Sequence, residues 1–310
     1  MANKEQTKEE MLAQINAKYG NVMVDFVFKR LFGNKLIMLP FLKMVIPDED
    51  IVDIDYLPTE NLGDTIADNK VIFDISCTTS DGRVFIAEMQ KANQVNFKNR
   101  SIAYVSSHIS SQARTHREKH NLNPQYKWNY DLRPVYLIAI MNFSFEHGKD
   151  FPTEKYICCY QLRESETQEL LNNIVNFTYI EMKRFKKTEE ECITLLDKLT
   201  YSLKHMHELT APPSFFNEKF FNDLYKLAEL NNFTAEELRN YMKRLFAVSD
   251  YENTIEFAKA ESKAEGRAEG RAEGRAEERL KNAQNLKALG VDLDIIAQGL
   301  GLDRKTVEEL

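Results

Sequence analysis

Two carboxylates on a predicted hairpin have the spacing that most directly suggests chemistry. Asp74 and Glu88 lie within VIFDISCTTSDGRVFIAEMQ (71–90), where two β-patterned runs flank the short polar loop Ser80-Asp81-Gly82. A three-residue loop that ends in glycine is a common hairpin connection, because glycine adopts the positive φ required there. If the residues that flank this loop face each other, Asp74 faces Glu88 directly across the two strands.

Opposed side chains on a hairpin share a face, and their Cβ atoms lie about 5 Å apart. Two carboxylates at that separation repel each other unless a cation or a proton lies between them. Oxygen ligands of this kind suit Mg²⁺ or Mn²⁺, with the Met89 carbonyl as a further ligand. A solvent-facing sheet edge with two unrelated acids fits the same spacing, so the residues alone leave both interpretations open.

Strand alternation assigns the other hairpin residues to faces. Ser76 and Gln90 are predicted to accompany the two carboxylates. The opposite face is predicted to be apolar and to contain Phe73, Ile75, Phe85, Ala87 and Met89.

The next segment, FKNRSIAYVSSHISSQARTHREK (97–119), is predicted to be a helix with a basic side. Its periodicity predicts an apolar stripe through Ile102 and Val105, with Arg100, Tyr104 and Arg114 on the opposite side. Residues 83–119 contain seven Lys or Arg and two Glu, in a chain whose net charge is −7. A basic patch beside paired acids is what a phosphodiester substrate requires, although a charged helix face is often only its solvated side.

The elements that must position these residues follow an α/β pattern. Residues 1–46 have helical periodicity, and β-patterned runs occupy 51–58, 71–77, 83–90, 134–143, 154–162 and 176–182. With the long helix between the third and fourth strands, this order predicts a mixed central sheet flanked by helices. We therefore assign residues 1–182 to one domain and residues 183–256 to a helical subdomain.

The last part of the chain, residues 257–310, contains a short repeat and a small helical tail. AEGRAEGRAEGRAEER (264–279) predicts an exposed, weakly stable helix, because each of its glycines costs about 1 kcal/mol relative to alanine. Two short helical patterns around Gly299–Gly301 resemble a helix-turn-helix unit. Packing or oligomerisation suits this acidic tail better than contact with phosphate.

Several separated blocks resemble the PD-(D/E)XK nuclease family transposases, also called the Rpn (recombination-promoting nuclease) family. They lie within residues 21–145: DFVFKRLFGN (25–34), YLPTENLG (56–63), FDISCTTSDGRVFIAEMQ (73–90), FKNRSIAYVSSHISSQA (97–113) and NYDLRPVYLIAIMNF (129–143). The AEGR tract and the closing IIAQGLGLDRKTVEEL also resemble the C-terminal region of such proteins.

The resemblance implies a restriction-endonuclease-like core and metal-dependent hydrolysis of DNA. Carried onto this chain, the motif aspartate is Asp74, and the E-x-K element is Glu88-Met89-Gln90, with glutamine where the family has lysine. Asp74 and Glu88 are then the ligands of Mg²⁺ or Mn²⁺, and Gln90 orients the attacking water. The residues expected to contact DNA are Lys91, Arg100, Tyr104 and Arg114.

Composition excludes several other classes. The 310 residues contain no apolar run long enough for a membrane span, and the polar N-terminus does not resemble a signal peptide, which predicts a cytoplasmic protein. The sequence contains no Gly-rich phosphate loop of the G-x-x-x-x-G-K-[ST] type, so binding of ATP or GTP is not expected. The four cysteines are expected to be reduced packing residues. The histidines at residues 108, 116, 120 and 147 lack the spacing of a zinc site and are expected to lie at the surface, with a role as metal ligands as the alternative.

Two other functions remain open at this stage. A catalytically inactive DNA- or partner-binding protein could keep the nuclease fold, with Gln90 as the sign of lost chemistry. The second of these functions is that of an assembly module, in which the AEGR helix and the closing helices self-associate. A homodimer would suit cleavage of both DNA strands, although no residue in the sequence shows one.

Overall fold

The computed structural model of the protein describes residues 17–58, 60–61, 71–91, 96–123, 125, 127 and 130–310. The chain divides into two compact units, Met1–Phe246 and Ala247–Leu310. The domain boundaries expected after residues 182 and 256 stay predictions. Among the described residues, no helix has both the length and the apolar character that crossing a membrane requires.

Two helices, α1 (Asp25–Phe32) and α2 (Lys35–Val45), form the first part of the described chain. They confirm the predicted helical periodicity from residue 25 to residue 45. Residues 17–24 are not helical, which corrects that part of the prediction, and residues 1–16 lie outside the described residues. The break between them has a local cause, because the Asn34 side chain accepts a hydrogen bond from the Leu36 N–H and caps α2.

The central sheet is mixed, as predicted. Its six strands are β1 (Asp55–Tyr56), β4 (Ile75–Thr78), β5 (Val84–Gln90), β6 (Val135–Met141), β7 (Ile157–Gln161) and β8 (Val175–Glu181). They lie in the order β1-β4-β5-β6-β8-β7; β5–β6 and β6–β8 are parallel, and the other pairs are antiparallel. A separate two-stranded sheet pairs β2 (Glu60–Asn61) with β3 (Val71–Ile72).

The hairpin between β4 and β5 has the predicted register. Thr78 pairs with Val84, and the Thr79 N–H donates to the Arg83 carbonyl over 3.0 Å. Gly82 has φ +88°, the positive value expected for the last loop residue. Continuing the same register along the strands sets Asp74 opposite Glu88.

One detail of the predicted hairpin is wrong. The run 71–77 is not one strand, because β3 ends at Ile72 and β4 begins at Ile75. Across this break the side-chain alternation is lost. Phe73 therefore lies on the face opposite to the predicted one, where its ring packs edge-on against Tyr104 at a centroid distance of 5.2 Å.

One face of the sheet packs against helices from both ends of the first unit. The C-terminal helices are α4 (Leu195–His205), α5 (Lys219–Ala228) and the beginning of α6 (Ala235–Ala288). They share a core with α1, α2 and the sheet; its fully buried members include Phe28, Phe32, Ile138, Leu199, Phe221 and Tyr241. Burial of these large apolar side chains holds α1 against the sheet.

Helix α3 (Phe97–Leu122) covers the other face, and the predicted apolar stripe is right at Val105 but wrong at Ile102. Its buried residues are Phe97, Ser101, Val105 and His108, whereas Ile102 is 55% exposed. The reason is tertiary packing: His108 lies against the displaced Phe73 ring, with ring centroids 4.7 Å apart. The expectation that His108 lies at the surface is therefore also wrong.

The cysteines are all free, and three of them are buried: Cys77, Cys158 and Cys192. Cys159 is exposed, which corrects the expectation that it is a packing residue. It follows Cys158 on β7, and strand alternation sends the two side chains to opposite faces.

The second unit contains the remainder of α6, followed by α7 (Leu293–Leu300) and α8 (Arg304–Glu309). The AEGR repeat is helical and exposed, as predicted. The two short tail helices pack around Ala283, Ile296, Ala297 and Val307. Gly301, with φ +63°, ends α7 in the left-handed conformation that favours glycine.

Candidate active site

Asp74 and Glu88 meet where the β4 pairing ends. The Asp74 N–H donates to Glu88 Oε1 over 3.1 Å, and Asp74 Oδ2 accepts from the Met89 N–H over 2.9 Å. Each carboxylate thus binds the backbone of the other strand. These two contacts replace regular ladder hydrogen bonds, which explains why the strand is interrupted at Asp74.

The Glu88 carboxyl group is held in an unusual electrostatic state. Glu88 is only 3% exposed. Burial, followed by repulsion from Asp74, raises the pKa of Glu88 from 4.5 to about 8, despite hydrogen bonds from the Asp74 N–H and the Gln90 amide and the positive charge of Arg100. Without a cation, Glu88 therefore keeps its proton to higher pH than an ordinary glutamate.

Asp74 is partly buried and lies between acidic and basic neighbours. Burial, assisted by the charge of Asp25, raises the pKa of Asp74, while the Met89 N–H, Lys29 and Arg100 oppose this shift. Perturbed carboxylates that lie together are typical of functional sites.

Gln90 and Arg100 form the side of the site next to α3. Arg100 Nη2 donates to Gln90 Oε1 over 2.8 Å, and Gln90 Nε2 lies 3.3 Å from Glu88 Oε2. The guanidinium group also lies 5.7 Å from the centre of the Tyr104 ring. Burial raises the pKa of Tyr104, and the negative charges of Glu88 and Asp74 raise it further. The Tyr104 hydroxyl therefore lies close enough to interact electrostatically with both carboxylates.

Lys29 is a component of the site that the sequence did not reveal. Its Nζ lies 2.9 Å from Asp25 Oδ1 and 3.9 Å from Asp74 Oδ1. Asp25, whose other carboxylate oxygen binds Arg244, is on the first turn of α1, so Lys29 is one helical turn further along. Aspartate and lysine four residues apart on a helix commonly form a surface ion pair, so their spacing alone gives no sign of a site. Packing of α1 against the sheet brings this pair to Asp74.

The structure does not bring the two remaining predicted DNA contacts to the carboxylates. Arg114 follows Arg100 by fourteen residues on α3, a distance of about 21 Å along the helix axis. The pKa of His207 is lowered by burial and further by the positive charge of Lys91, which shows that Lys91 lies near His207. Gln90 instead contacts Arg100, so successive residues point to opposite faces.

The donor set fits a hard divalent cation. Both groups are carboxylates, the charge of Asp74 raises the pKa of Glu88, and a divalent cation would offset the two negative charges once Glu88 has lost its proton. Asp74 and Glu88 are the side chains that would hold such an ion. Lys29 and Arg100 flank the pair from α1 and α3, the two helix layers on opposite faces of the sheet.

The sequence matches the family of PD-(D/E)XK nuclease family transposases over residues 22–258, which is more than half of the chain. The chain belongs to this family. No curated protein and no solved structure is significantly similar to it.

Family membership and topology together confirm the predicted fold. A mixed six-stranded sheet with flanking helices and a helical C-terminal region is the restriction-endonuclease-like architecture of PD-(D/E)XK nucleases. The family indicates a nuclease-like or transposase-related role, and nucleases of this family typically use divalent metals and act on DNA. The assignment of this chemistry to Asp74 and Glu88 in this PD-(D/E)XK protein stays a prediction.

Proposed function

We propose that this protein is a deoxyribonuclease that hydrolyses phosphodiester bonds with Mg²⁺ or Mn²⁺. The observation that carries the proposal is the close pair of buried carboxylates, Asp74 and Glu88, each bonded to the backbone of the opposite strand. Such a pair is unfavourable for stability, because each charge disfavours ionisation of the other. Its placement beside Lys29 and Arg100 suits a negatively charged substrate bound through a cation.

The chain's own residues have separate parts in the proposed reaction. Asp74 and Glu88 would hold the ion, which would supply Lewis-acid stabilisation of the phosphate. Glu88 must lose its proton before it can ligate, and the positive charges nearby favour that loss. Gln90 donates from its amide to orient water, while its oxygen holds Arg100 toward the substrate.

Lys29 supplies the cation that the motif lacks at Gln90. An ammonium group 3.9 Å from Asp74 Oδ1 is positioned to stabilise negative charge on the phosphate as the bond breaks. Asp25 binds Lys29 on the side away from Asp74 and restricts where its long side chain can lie. The glutamine variant of the motif is thus compensated by a residue from α1.

Arg100 and Tyr104 are proposed to contact the DNA beside the scissile phosphate. Lys91 and Arg114 are proposed to contact the backbone further away, in view of their separation from the carboxylates. We also propose a cytoplasmic protein that acts in recombination or on mobile DNA, with a homodimer to cut both strands. Light scattering of the protein with and without a DNA duplex tests the dimer.

Cleavage of supercoiled plasmid with Mg²⁺ or Mn²⁺ tests the proposal. We expect the parent protein to cut, and Asp74→Asn and Glu88→Gln to lose activity by about a hundredfold or more, because each removes a ligand of the ion. Asp55→Asn is the matched control, since Asp55 is an exposed carboxylate on β1 of the same sheet. Cleavage by Asp74→Asn at the parent rate would show that the carboxylate assignment is wrong.

The same assay tests the part of Lys29. We expect Lys29→Gln to cut about 10- to 1,000-fold more slowly while it still binds Mn²⁺, because the amide keeps the length but not the charge. Lys35→Gln serves as the control, because Lys35 is a lysine on α2 that forms an exposed ion pair with Asp53. Equal rates for Lys29→Gln and the parent would exclude this lysine from the reaction.

A catalytically inactive DNA-binding protein is the second candidate, favoured by the glutamine at residue 90. It predicts DNA binding that weakens with salt and no cleavage with either metal. Absence of cleavage by the parent protein, with binding retained, would select this function over hydrolysis.

A further inference from the structure

A second group of potential metal ligands lies apart from the hairpin carboxylates. His147 follows β6, Cys158 is on β7, and Glu181 is the last residue of β8. One ligand atom from each side chain lies within 4.8 Å of the others. In sequence the three residues are separated by 11 and 23 positions, which is why no metal-binding spacing was visible, and the expectation that His147 lies at the surface is wrong.

The sheet register shows that this group is a separate site. Gln90 pairs with Met141, and Met141 pairs with Glu181, all through parallel pairing. Glu181 therefore lies two strands from Gln90, a backbone separation of about 10 Å. Met141, which is fully buried, stands between them on the same face.

The three side chains already point at one another. His147 Nε2 lies 2.8 Å from Glu181 Oε1 and 3.1 Å from Oε2, and Cys158 Sγ lies 3.5 Å from Glu181 Oε1. The His147 ring is stacked on Phe151 at a centroid distance of 3.8 Å, which fixes the plane of the imidazole. A ligand that is oriented from behind in this way loses little freedom when it binds a metal.

We propose that His147, Cys158 and Glu181 bind a zinc ion. A thiolate, an imidazole and a carboxylate are the ligands that Zn²⁺ takes in proteins, at bond lengths of about 2.0–2.3 Å. The present separations allow such bonds after small side-chain rotations. The thiolate disfavours Mg²⁺, which prefers oxygen ligands, and so distinguishes this site from the carboxylate pair on the hairpin.

Charge and burial also favour zinc here. Glu181 is 0% exposed, and the nearest arginine atom, Arg184 Nε, is 4.0 Å from its carboxylate. Burial raises the pKa of the Cys158 thiol to about 12, so a bound ion would have to displace this proton. The resulting thiolate and the carboxylate carry two negative charges, which one divalent ion would neutralise within the apolar cluster around Phe143 and Tyr179. The ion would link the loop after β6 to the last two strands of the sheet.

Zinc content of the tag-free full-length protein, after incubation with zinc sulfate and desalting, tests the proposal. We expect one zinc per chain in the parent and at least a tenfold loss in Cys158→Ser. Cys159→Ser is the matched control, because Cys159 is the adjacent, exposed cysteine on the same strand. Glu88→Gln should keep its zinc, which separates this site from the hairpin carboxylates whether or not the protein cuts DNA.

Cobalt(II) gives an independent readout. A thiolate-to-cobalt charge-transfer band is expected for the parent and for Cys159→Ser, and its loss is expected for Cys158→Ser. Circular dichroism shows whether Cys158→Ser folds. If it does not, His147→Gln replaces it in the test, because His147 lies in a loop. This variant should also fail to retain zinc. No zinc and no cobalt band in the parent, or zinc kept by Cys158→Ser and His147→Gln, would overturn the proposal.

Discussion

A proton on Glu88 allows two carboxyl groups to lie together in a buried place when no cation is between them. With the pKa of Glu88 near 8, the folded protein keeps this proton at pH values where the unfolded chain has released it. The protonated site is neutral enough to be buried, and in the proposed function a divalent ion displaces the proton. The same residue would then link folding, pH and metal binding.

We predict that Glu88→Gln stabilises the metal-free protein, by an amount that grows with pH. Below about pH 4.5 both states of the parent are protonated and the variant should match it. As pH rises toward 8, the unfolded parent releases a proton that the folded parent retains, so its stability falls, whereas glutamine does not titrate. The difference should reach a few kcal/mol at pH 8.

Thermal unfolding between pH 4.5 and 8.5, with EDTA, measures this difference. Glu118→Gln, which replaces an exposed glutamate on α3, should show no such trend. Addition of Mn²⁺ at pH 8 should raise the midpoint of the parent but not that of Glu88→Gln. A constant difference across the pH range would show that Glu88 titrates normally.

At the scale of elements, the hairpin turn sets the register that brings the carboxylates together. This register could be read from the sequence, because the loop length and its final glycine allow few alternatives. The strand break at Phe73 and Asp74 could not be predicted, because it depends on a side chain that accepts the Met89 N–H in place of the ladder. Periodicity predicts the burial of Val105 on α3 correctly but not the exposure of Ile102, since it does not show which ring will lie beneath the helix.

We predict that Gly82→Ala destabilises the protein by about 1–2 kcal/mol, since alanine is strained at positive φ. A Cβ atom there would also lie 3.1 Å from Arg133 Cγ, which must shift. Gly148→Ala is the control, because a Cβ at Gly148 meets nothing within 4 Å. Denaturant unfolding of both variants measures the effect, and equal stability of Gly82→Ala and the parent would contradict it.

At the scale of the whole molecule, distant segments complete the first unit. Tyr241 and Leu245, near the beginning of α6, are buried in the core that contains α1, and Tyr241 Oη accepts the Asn21 N–H over 3.2 Å. Arg30 on α1 binds Glu237 on α6. Contacts over such sequence separations leave no local pattern. For the same reason Lys29 and the His147, Cys158 and Glu181 group could be found only in three dimensions.

Truncation tests which part of the C-terminal region the nuclease-like unit needs. We predict that a chain ending at residue 256 keeps the unfolding midpoint and the cleavage rate of the parent, because the compact unit ends at Phe246. A chain ending at residue 234 should be destabilised by several kcal/mol, since it loses the buried side chains of Tyr241 and Leu245. Calorimetry, the plasmid assay and light scattering on both chains provide the measurements. If the 256-residue chain forms particles with fewer chains than the parent does, assembly would be assigned to the AEGR helix and tail. Destabilisation of that chain to the level of the shorter one would instead show that the core depends on residues beyond 256.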